Sequence, residues 1–232
     1  KDKKSILEAF IHAGAANEVK VDVVSIHSEH LTGDNCAQEL KDLHGLLVAP
    51  GFGSRGIEGK ISAIKYVREN NIPFFGICLG MQMAVIEYAR NVLGLATANS
   101  TEMDEDTAHP VISLMDEQKN VEDKGGTMRL GAWDCALTAG SRVQDIYKAD
   151  DISERHRHRY ELNNAYLTDL TKNGLKATGV NPKTGLAEIV EIDAHPWFIG
   201  VQYHPEYKST VLEPHPLFSA FVEACNTYAN KK

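Results

Sequence analysis

The residues best suited to chemistry lie in the run 75–82, which reads Phe-Gly-Ile-Cys-Leu-Gly-Met-Gln. A cysteine with a glycine two residues away on each side has the spacing of a nucleophile elbow, a tight turn between a strand and a helix. The glycines leave room for the turn, and the following helix N-terminus favours the thiolate of Cys78. The backbone N–H of Leu79 is then predicted to face the space where an oxyanion would form. The alternative is a buried cysteine whose glycines serve only strand–helix packing.

A second candidate group lies near the end of the chain, in Gln202-Tyr-His-Pro-Glu206. In an extended segment alternate residues point to the same side, so His204 and Glu206 are predicted to project together, with Pro205 stiffening the backbone between them. A carboxylate beside one ring nitrogen orients the imidazole and leaves the other nitrogen to exchange a proton with a thiol. Taken alone, the pair is better explained as an ordinary histidine and glutamate at the end of a surface strand.

A third candidate is the run 47–53, Leu-Val-Ala-Pro-Gly-Phe-Gly. Open α/β sheets place ligands at turns that follow the carboxyl ends of parallel strands, and a free backbone N–H in such a turn could be a second oxyanion donor. The alternative is an ordinary loop between a strand and a helix. No Gly-Lys-Ser/Thr follows, so the run is not a phosphate-binding P-loop.

Strands and helices alternate in the part of the chain that must position these residues, whereas the second half is richer in strands. The pattern predicts an α/β fold with an open, mostly parallel sheet, helices on both faces and a smaller antiparallel strand region, all in one domain over 1–232. Because such a sheet normally opens with a strand, we expect an upstream strand to be missing. The predicted helices are 3–15, 58–70, 79–90 and 215–228; the strands are 20–26, 45–49, 73–77, 156–161, 175–180, 187–192 and 197–203; a mobile loop is predicted over 117–126.

Composition narrows the function classes. The 232 residues are 43% hydrophobic and 24% charged, as expected for a globular domain with a core. The formal net charge of −8 argues against nucleic-acid binding, which favours a basic surplus. The four cysteines are far apart, which predicts free thiols in a reducing cytosol, and no apolar run is long enough for a membrane helix. We therefore expect a cytoplasmic protein that binds neither nucleic acid nor membrane.

Taken together, the three candidate motifs resemble those of the class I glutamine amidotransferases. Three further runs narrow the resemblance to the glutaminase domain of CTP synthases: Ala98-Asn-Ser-Thr-Glu102, Gly125-Gly-Thr-Met-Arg-Leu-Gly131 and Glu154-Arg-His-Arg-His-Arg-Tyr-Glu161. The resemblance covers nearly the whole chain. It implies a class I amidotransferase fold and hydrolysis of L-glutamine to glutamate and ammonia through a γ-glutamyl thioester.

The resemblance also implies roles for individual residues. Cys78 matches the nucleophile, His204 its base and Glu206 the residue that orients the base. The positions that match substrate-binding residues are Gly51 and Leu79 as oxyanion donors and Gln82, Glu102 and Arg159 as groups that hold the amino acid. A carboxylate for Arg159 and an ammonium for Glu102 is sensible chemistry for that substrate. Where the family usually has Pro-Gly-Gly-Phe-Gly, this chain has Pro50 in place of the first glycine, so Gly51 must supply the N–H.

In the family, the glutaminase domain passes ammonia to a synthetase domain of the same full-length chain, which uses ATP and Mg²⁺ to aminate UTP. The resemblance implies GTP as an allosteric activator and a homo-oligomer formed through the synthetase domain, which these residues lack. No cofactor or metal is expected in this domain, since the histidine pairs 27/30 and 156/158 bring no further ligand at a telling spacing. Two alternatives stay open: another amidotransferase or γ-glutamyl peptidase, and a non-catalytic assembly module.

Overall fold

The computed structural model describes residues 2–114 and 128–231; the loop predicted over 117–126 lies outside the described residues. The helices are α1 (Asp2–Ala16), α2 (Cys36–Leu40), α3 (Ile57–Glu69), α4 (Leu79–Asn91), α5 (Arg142–Tyr147), α6 (Leu167–Lys172) and α7 (Pro216–Ala229). The strands are β1 (Leu46–Val48), β2 (Phe74–Ile77), β3 (Ala98–Ser100), β4 (His109–Ser113), β5 (Arg129–Leu137), β6 (Asp151–His158), β7 (Glu161–Leu162), β8 (Leu175–Val180), β9 (Ala187–Ile192) and β10 (Phe198–Val201). Short 3₁₀ turns cover Ser28–His30, Asn164–Tyr166 and Pro205–Tyr207.

The larger sheet of the described residues has the strand order β1-β2-β10-β9-β8-β5-β6. Strands β1, β2 and β10 are parallel, whereas the pairs from β10 to β6 are antiparallel. A smaller sheet has the order β3-β4-β7. The predicted α/β class is confirmed. The antiparallel strands of the second half join the parallel strands at β10. Because β10 pairs with β2 in parallel, the carboxyl ends of these two strands lie side by side.

Side chains of adjacent strand residues enter two different cores. Phe74 and Phe198 pack with helices α3 and α4 on one face of the sheet. Phe75 and Ile199 pack on the other face with α1 and α7, where Phe75 makes an edge-on contact with Phe218. This alternation is the period-2 pattern of a strand that is buried on both sides. It confirms the helices predicted on both faces of the sheet. Strand β2 is therefore packed on both sides immediately before Cys78.

One predicted element is wrong. Residues 20–26 form no strand, and Val23 and Val24 are exposed. The β-branched residues in this segment have strand propensity, but a strand also needs a neighbour to pair with, and the described residues supply none here. The other predicted helices and strands of the described residues are present, with ends shifted by a few residues, except that the strand predicted over 156–161 is divided between β6 and β7.

Candidate active site

Cys78 occupies the turn between β2 and α4. Its backbone has φ of +52° and ψ of −103°, a region that residues other than glycine seldom adopt. The turn is held by two hydrogen bonds, from Cys78 N–H to the Val201 carbonyl at 2.8 Å and from Gln82 N–H to the Cys78 carbonyl at 3.2 Å. Strain that the surrounding structure holds in place is typical of functional sites. The predicted elbow is confirmed, with the thiol at the N-terminus of α4.

The two glycines of the elbow are required by packing. A Cβ at Gly76 would lie 2.7 Å from the carbonyl of Gly80, and a Cβ at Gly80 would overlap the carbonyl of Val48 in β1. Both neighbours are backbone atoms, which cannot move aside as a flexible side chain could. The glycines thus let the first turn of α4 lie directly against β1 and β2. This close packing is expected both for a nucleophile elbow and for a cysteine whose glycines serve packing alone.

His204 and Glu206 are brought together, although by a different backbone from the one predicted. Instead of continuing an extended strand, Pro205–Tyr207 forms a 3₁₀ turn that begins after His204. Glu206 Oε1 lies 2.7 Å from His204 Nδ1, and the His204 ring stacks on Tyr207 with centroids 4.9 Å apart. His204 and Glu206 are both buried. The expected proximity is confirmed, and the extended geometry offered as its cause is wrong.

The pKa of His204 depends on both burial and its two neighbours, Cys78 and Glu206. Burial alone lowers the pKa of His204, but the nearby Cys78 thiol and Glu206 carboxylate outweigh burial and raise that pKa to about 10. With Nδ1 on Glu206, Nε2 is the nitrogen left for the thiol. Among the described residues Nε2 makes no hydrogen bond of good geometry. This arrangement favours a proton on the imidazole.

The other three thiols have environments that oppose ionisation. Burial raises the pKa of Cys36 and of Cys135, and it raises the pKa of Cys225 to about 12. Cys135 lies in the same core cluster as Cys78, but on strand β5 rather than at a helix N-terminus. These three thiols are therefore predicted to stay protonated at neutral pH.

The loop at residues 50–56 follows β1 and is exposed, with Phe52 89% accessible to solvent. Its glycines Gly53 and Gly56 have φ of +74° and +66°. The N–H of Gly53 donates a 3.0 Å hydrogen bond to Glu102 Oε1. Sequence reasoning assigned Glu102 to substrate alone, and this contact to the loop was missed because the two segments are far apart in the sequence.

Arg159 and Glu102 approach the same side chain, Tyr160. Burial raises the pKa of Tyr160, the charge of Glu102 raises it further, and the charge of Arg159 lowers it. Arg159 Nε is buried and has no hydrogen-bond partner among the described residues. An unpaired buried guanidinium nitrogen is costly unless a ligand satisfies it. The two predicted substrate residues, Glu102 and Arg159, are therefore both close enough to Tyr160 to change its pKa.

Gln82 lies inside the site and is almost fully buried. Its Nε2 donates to the Tyr160 carbonyl at 3.0 Å and to Gln202 Oε1 at 3.2 Å. Gln202 in turn has its Nε2 3.7 Å from Cys78 Sγ. The contact of Gln202 with the sulfur was not predicted from the sequence, although the register of Val201 beside Ile77 places residue 202 next to residue 78.

A buried charged cluster underlies the site. Arg129 pairs with Glu188 at 2.7 Å and Glu161 at 3.0 Å. Burial, only partly offset by Arg129, raises the pKa of Glu161 to about 8. His156 Nδ1 lies 2.8 Å from His158 Nε2, and burial, with Arg129, lowers the pKa of His156 to about 3. Within residues 2–114 and 128–231, no three histidine, cysteine or acidic side chains form a group that could hold a metal ion.

The sequence model of a family described as Glutamine amidotransferase class-I matches residues 2–224. The chain belongs to this family. Curated relatives of this amidotransferase domain include the CTP synthases of Flavobacterium johnsoniae and Salinibacter ruber, which are 69% and 56% identical to it over 229 residues. Each alignment covers 99% of this chain, but only 42% and 40% of those proteins, so the chain spans about two fifths of their length.

Solved structures agree with this assignment. The glutaminase domain of Trypanosoma brucei CTPS with bound acivicin has a TM-score of 0.90 and 40% identity, over 96% of this chain and 87% of that one. A glutamine amidotransferase from Thermotoga maritima, with a TM-score of 0.55 and 12% identity, shares the fold alone. In the described part of this amidotransferase domain, no helix combines the length and apolar character needed to cross a membrane.

Proposed function

We propose that this amidotransferase domain hydrolyses L-glutamine to glutamate and ammonia, with Cys78 as nucleophile, His204 as base and Glu206 as the residue that orients the base. The supporting observation is the convergence of two elements on one sulfur. A strained elbow presents Cys78 at a helix N-terminus, and the pKa of a buried His204 is raised by both Cys78 and Glu206. A histidine and glutamate at an ordinary strand end would not be coupled to a thiol in this way.

The reaction divides into two steps. The Cys78 thiolate attacks the side-chain amide carbon, and the C–N bond breaks as the His204 imidazolium gives its proton to the departing nitrogen, which leaves as ammonia. Water then attacks the thioester while His204 accepts a proton from it, the C–S bond breaks, and glutamate leaves with the thiolate restored. Glu206 keeps the ring orientation constant through both proton transfers.

The negative oxygen of each tetrahedral intermediate needs fixed donors. We assign this role to the backbone N–H of Leu79, which lies in the first turn of α4 where such groups lack a helical partner, and to that of Gly51. Glu102 would hold the substrate ammonium and Arg159 its carboxylate. Two observations support that assignment: Arg159 Nε has no hydrogen-bond partner among the described residues, and the charges of Glu102 and Arg159 both act on the pKa of Tyr160. Gln82 would complete the wall against which the substrate lies.

The destination of the ammonia is proposed from the relatives. In a longer protein that contains a CTP synthase synthetase domain, ammonia from this site would aminate UTP to CTP. ATP and Mg²⁺ would serve the synthetase domain, and GTP would activate glutamine hydrolysis. The similarity to CTP synthases over 99% of this chain supports the proposal.

The assignment of Cys78 is tested with a chloroketone analogue of glutamine. We expect one equivalent of label, located on the Cys78 peptide by mass spectrometry, and no glutamate release above background from Cys78→Ser. The matched control is Cys225→Ser, which removes a thiol outside the proposed site and should change neither labelling nor turnover. Label on Cys36, Cys135 or Cys225 in the parent protein would reject Cys78 as the nucleophile.

A further inference from the structure

Gln202 lies beside the sulfur in the protein interior. It follows β10 directly, and the parallel pairing of Val201 with Ile77 sets Gln202 next to Cys78. No part of Gln202 is exposed to solvent, and its Nε2 is 3.7 Å from Cys78 Sγ. Its backbone N–H donates to the Glu188 carbonyl at 2.8 Å, so the main chain at this point is fixed by β9.

A backbone carbonyl determines which end of the Gln202 amide faces the sulfur. The Tyr160 carbonyl can only accept hydrogen bonds, so the Gln82 group beside it must be the NH₂, at 3.0 Å. The same nitrogen lies 3.2 Å from Gln202, which must therefore present its oxygen to Gln82. The Gln202 NH₂ is left to donate to Cys78. The orientation follows from this chain of contacts rather than from the appearance of the amide itself.

We propose that Gln202 is a positioning residue that donates a hydrogen bond to the Cys78 sulfur and thereby favours its thiolate form; this rests on the proposed role of Cys78 as nucleophile. A donor to an ionised acceptor forms a stronger bond than a donor to a neutral one, so the contact strengthens when the thiol loses its proton. The amide has no proton to exchange, which leaves that task to His204. The same bond stabilises the sulfur when it leaves as thiolate in the hydrolysis of the thioester.

Two variants separate the donor from the rest of the side chain. Gln202→Glu replaces the NH₂ by oxygen, keeps an acceptor for Gln82 and puts a negative charge near the sulfur. Gln202→Met keeps the length of the side chain and removes both polar atoms without adding charge. Gln38→Glu makes the same amide-to-carboxylate change at an exposed residue of α2 and is the matched control.

The measurement is the rate of Cys78 alkylation by iodoacetamide between pH 5 and pH 10, followed on the Cys78 peptide. We expect both Gln202 variants to react about tenfold more slowly at neutral pH, the fold-change of one ordinary hydrogen bond, with the rate rising at a higher pH than in the parent. KM for glutamine should stay constant while kcat falls. The Gln38→Glu profile should match the parent. Parental alkylation profiles in both Gln202 variants would overturn the proposal.

A second measurement needs no change at Gln202. In the parent protein, the NMR signals of the Gln202 side-chain NH₂ should move over the pH range in which alkylation rises, and they should stay still in Cys78→Ala. Signals that do not move in the parent would also overturn the proposal. If Cys78→Ser still hydrolysed glutamine, the proposed function would fail, yet both measurements would still report on the contact between Gln202 and the sulfur.

Discussion

The two sides of the candidate site are held in very different ways. On the sulfur side, Cys78, Gln202 and His204 are buried, and backbone contacts at the glycines of the elbow leave almost no freedom. On the oxyanion side, the loop at 50–56 is exposed, and side-chain contacts of this loop lie at or near the surface: the hydrogen bond from Gly53 to Glu102 and the exposed Arg55–Glu29 ion pair. On the proposed roles of these residues, we expect thiol reactivity to be built into the fold and stabilisation of the oxyanion to depend on what orders the loop.

The largest expected effect falls on the exposed side. In the protein joined to a synthetase domain, Gly51→Pro removes the proposed oxyanion N–H and keeps a turn-forming residue, so turnover should fall by about 10²–10³. Gly51→Ala is the matched control, because it retains the N–H and its Cβ would meet only the tip of the Leu79 side chain, at 3.1 Å. Steady-state glutamate release measures both. Near-normal turnover in a folded Gly51→Pro protein would place the second donor elsewhere.

A smaller effect, on glutamine binding, is expected at Arg159, which is proposed to hold the substrate carboxylate. Arg159→Ala should weaken glutamine binding by roughly 1.5–3 kcal/mol, the strength of a lost charge-assisted hydrogen bond. KM for glutamine should rise accordingly, whereas the exposed Arg157→Ala should leave it unchanged.

In a protein that joins this chain to a synthetase domain, CTP formation from added ammonia should survive Arg159→Ala, because ammonia bypasses the site. Loss of that activity as well would show that Arg159 supports the structure or couples the domains.

A further prediction concerns stability on the buried side rather than activity. The pKa of His156 is lowered to about 3 in the folded protein from an ordinary value near 6.5, so the unfolded chain binds the extra proton first. Stability contributed by His156 is present above pH 6.5 and is lost as the pH falls towards 3. His156→Asn keeps a donor for His158 and should reduce this acid sensitivity, by up to roughly 1.4 kcal/mol per pH unit. Urea unfolding at pH 4, 5, 6 and 7 compares the variant with the parent.

The stability contributed by Glu161 depends on pH in the opposite direction from that contributed by His156. Its pKa is raised to about 8, so its contribution to stability falls as the pH rises from about 4.5 to 8. That contribution is carried by both the parent and His156→Asn. An unchanged difference in unfolding free energy between the two proteins across the acid range would mean that His156 is not held neutral by the fold.

The sulfur side could be predicted from sequence because its causes are local. The glycine spacing around Cys78 specifies a turn that few other sequences can form, and the apolar strand before the motif and the helix after it are both evident from the sequence. The pairing of His204 with Glu206 was expected for a local reason that was wrong. A 3₁₀ turn at Pro205, rather than an extended strand, brings the two side chains together.

The rest depends on contacts between distant segments. His204 points the run 202–206 towards the thiol, but the contact of Gln202 itself with Cys78 is created by the pairing of β10 with β2. The hydrogen bond from Gly53 to Glu102 likewise joins segments 49 residues apart. For the exposed segment 20–26 the sequence predicted a structure that is not formed. Its β-branched residues indicated a strand, but no strand of the described residues pairs with it.

The most direct test of this contrast compares labelling with turnover in the same 232-residue chain. The chloroketone analogue should modify Cys78 completely, while glutamate release from glutamine stays low and does not respond to UTP, ATP or GTP, since catalysis by oxyanion donors depends on their preorganisation. In the protein joined to a synthetase domain, the same nucleotides should raise glutamate release. High, nucleotide-independent turnover by the isolated chain would contradict the account, because the exposed loop would then need no partner to order it.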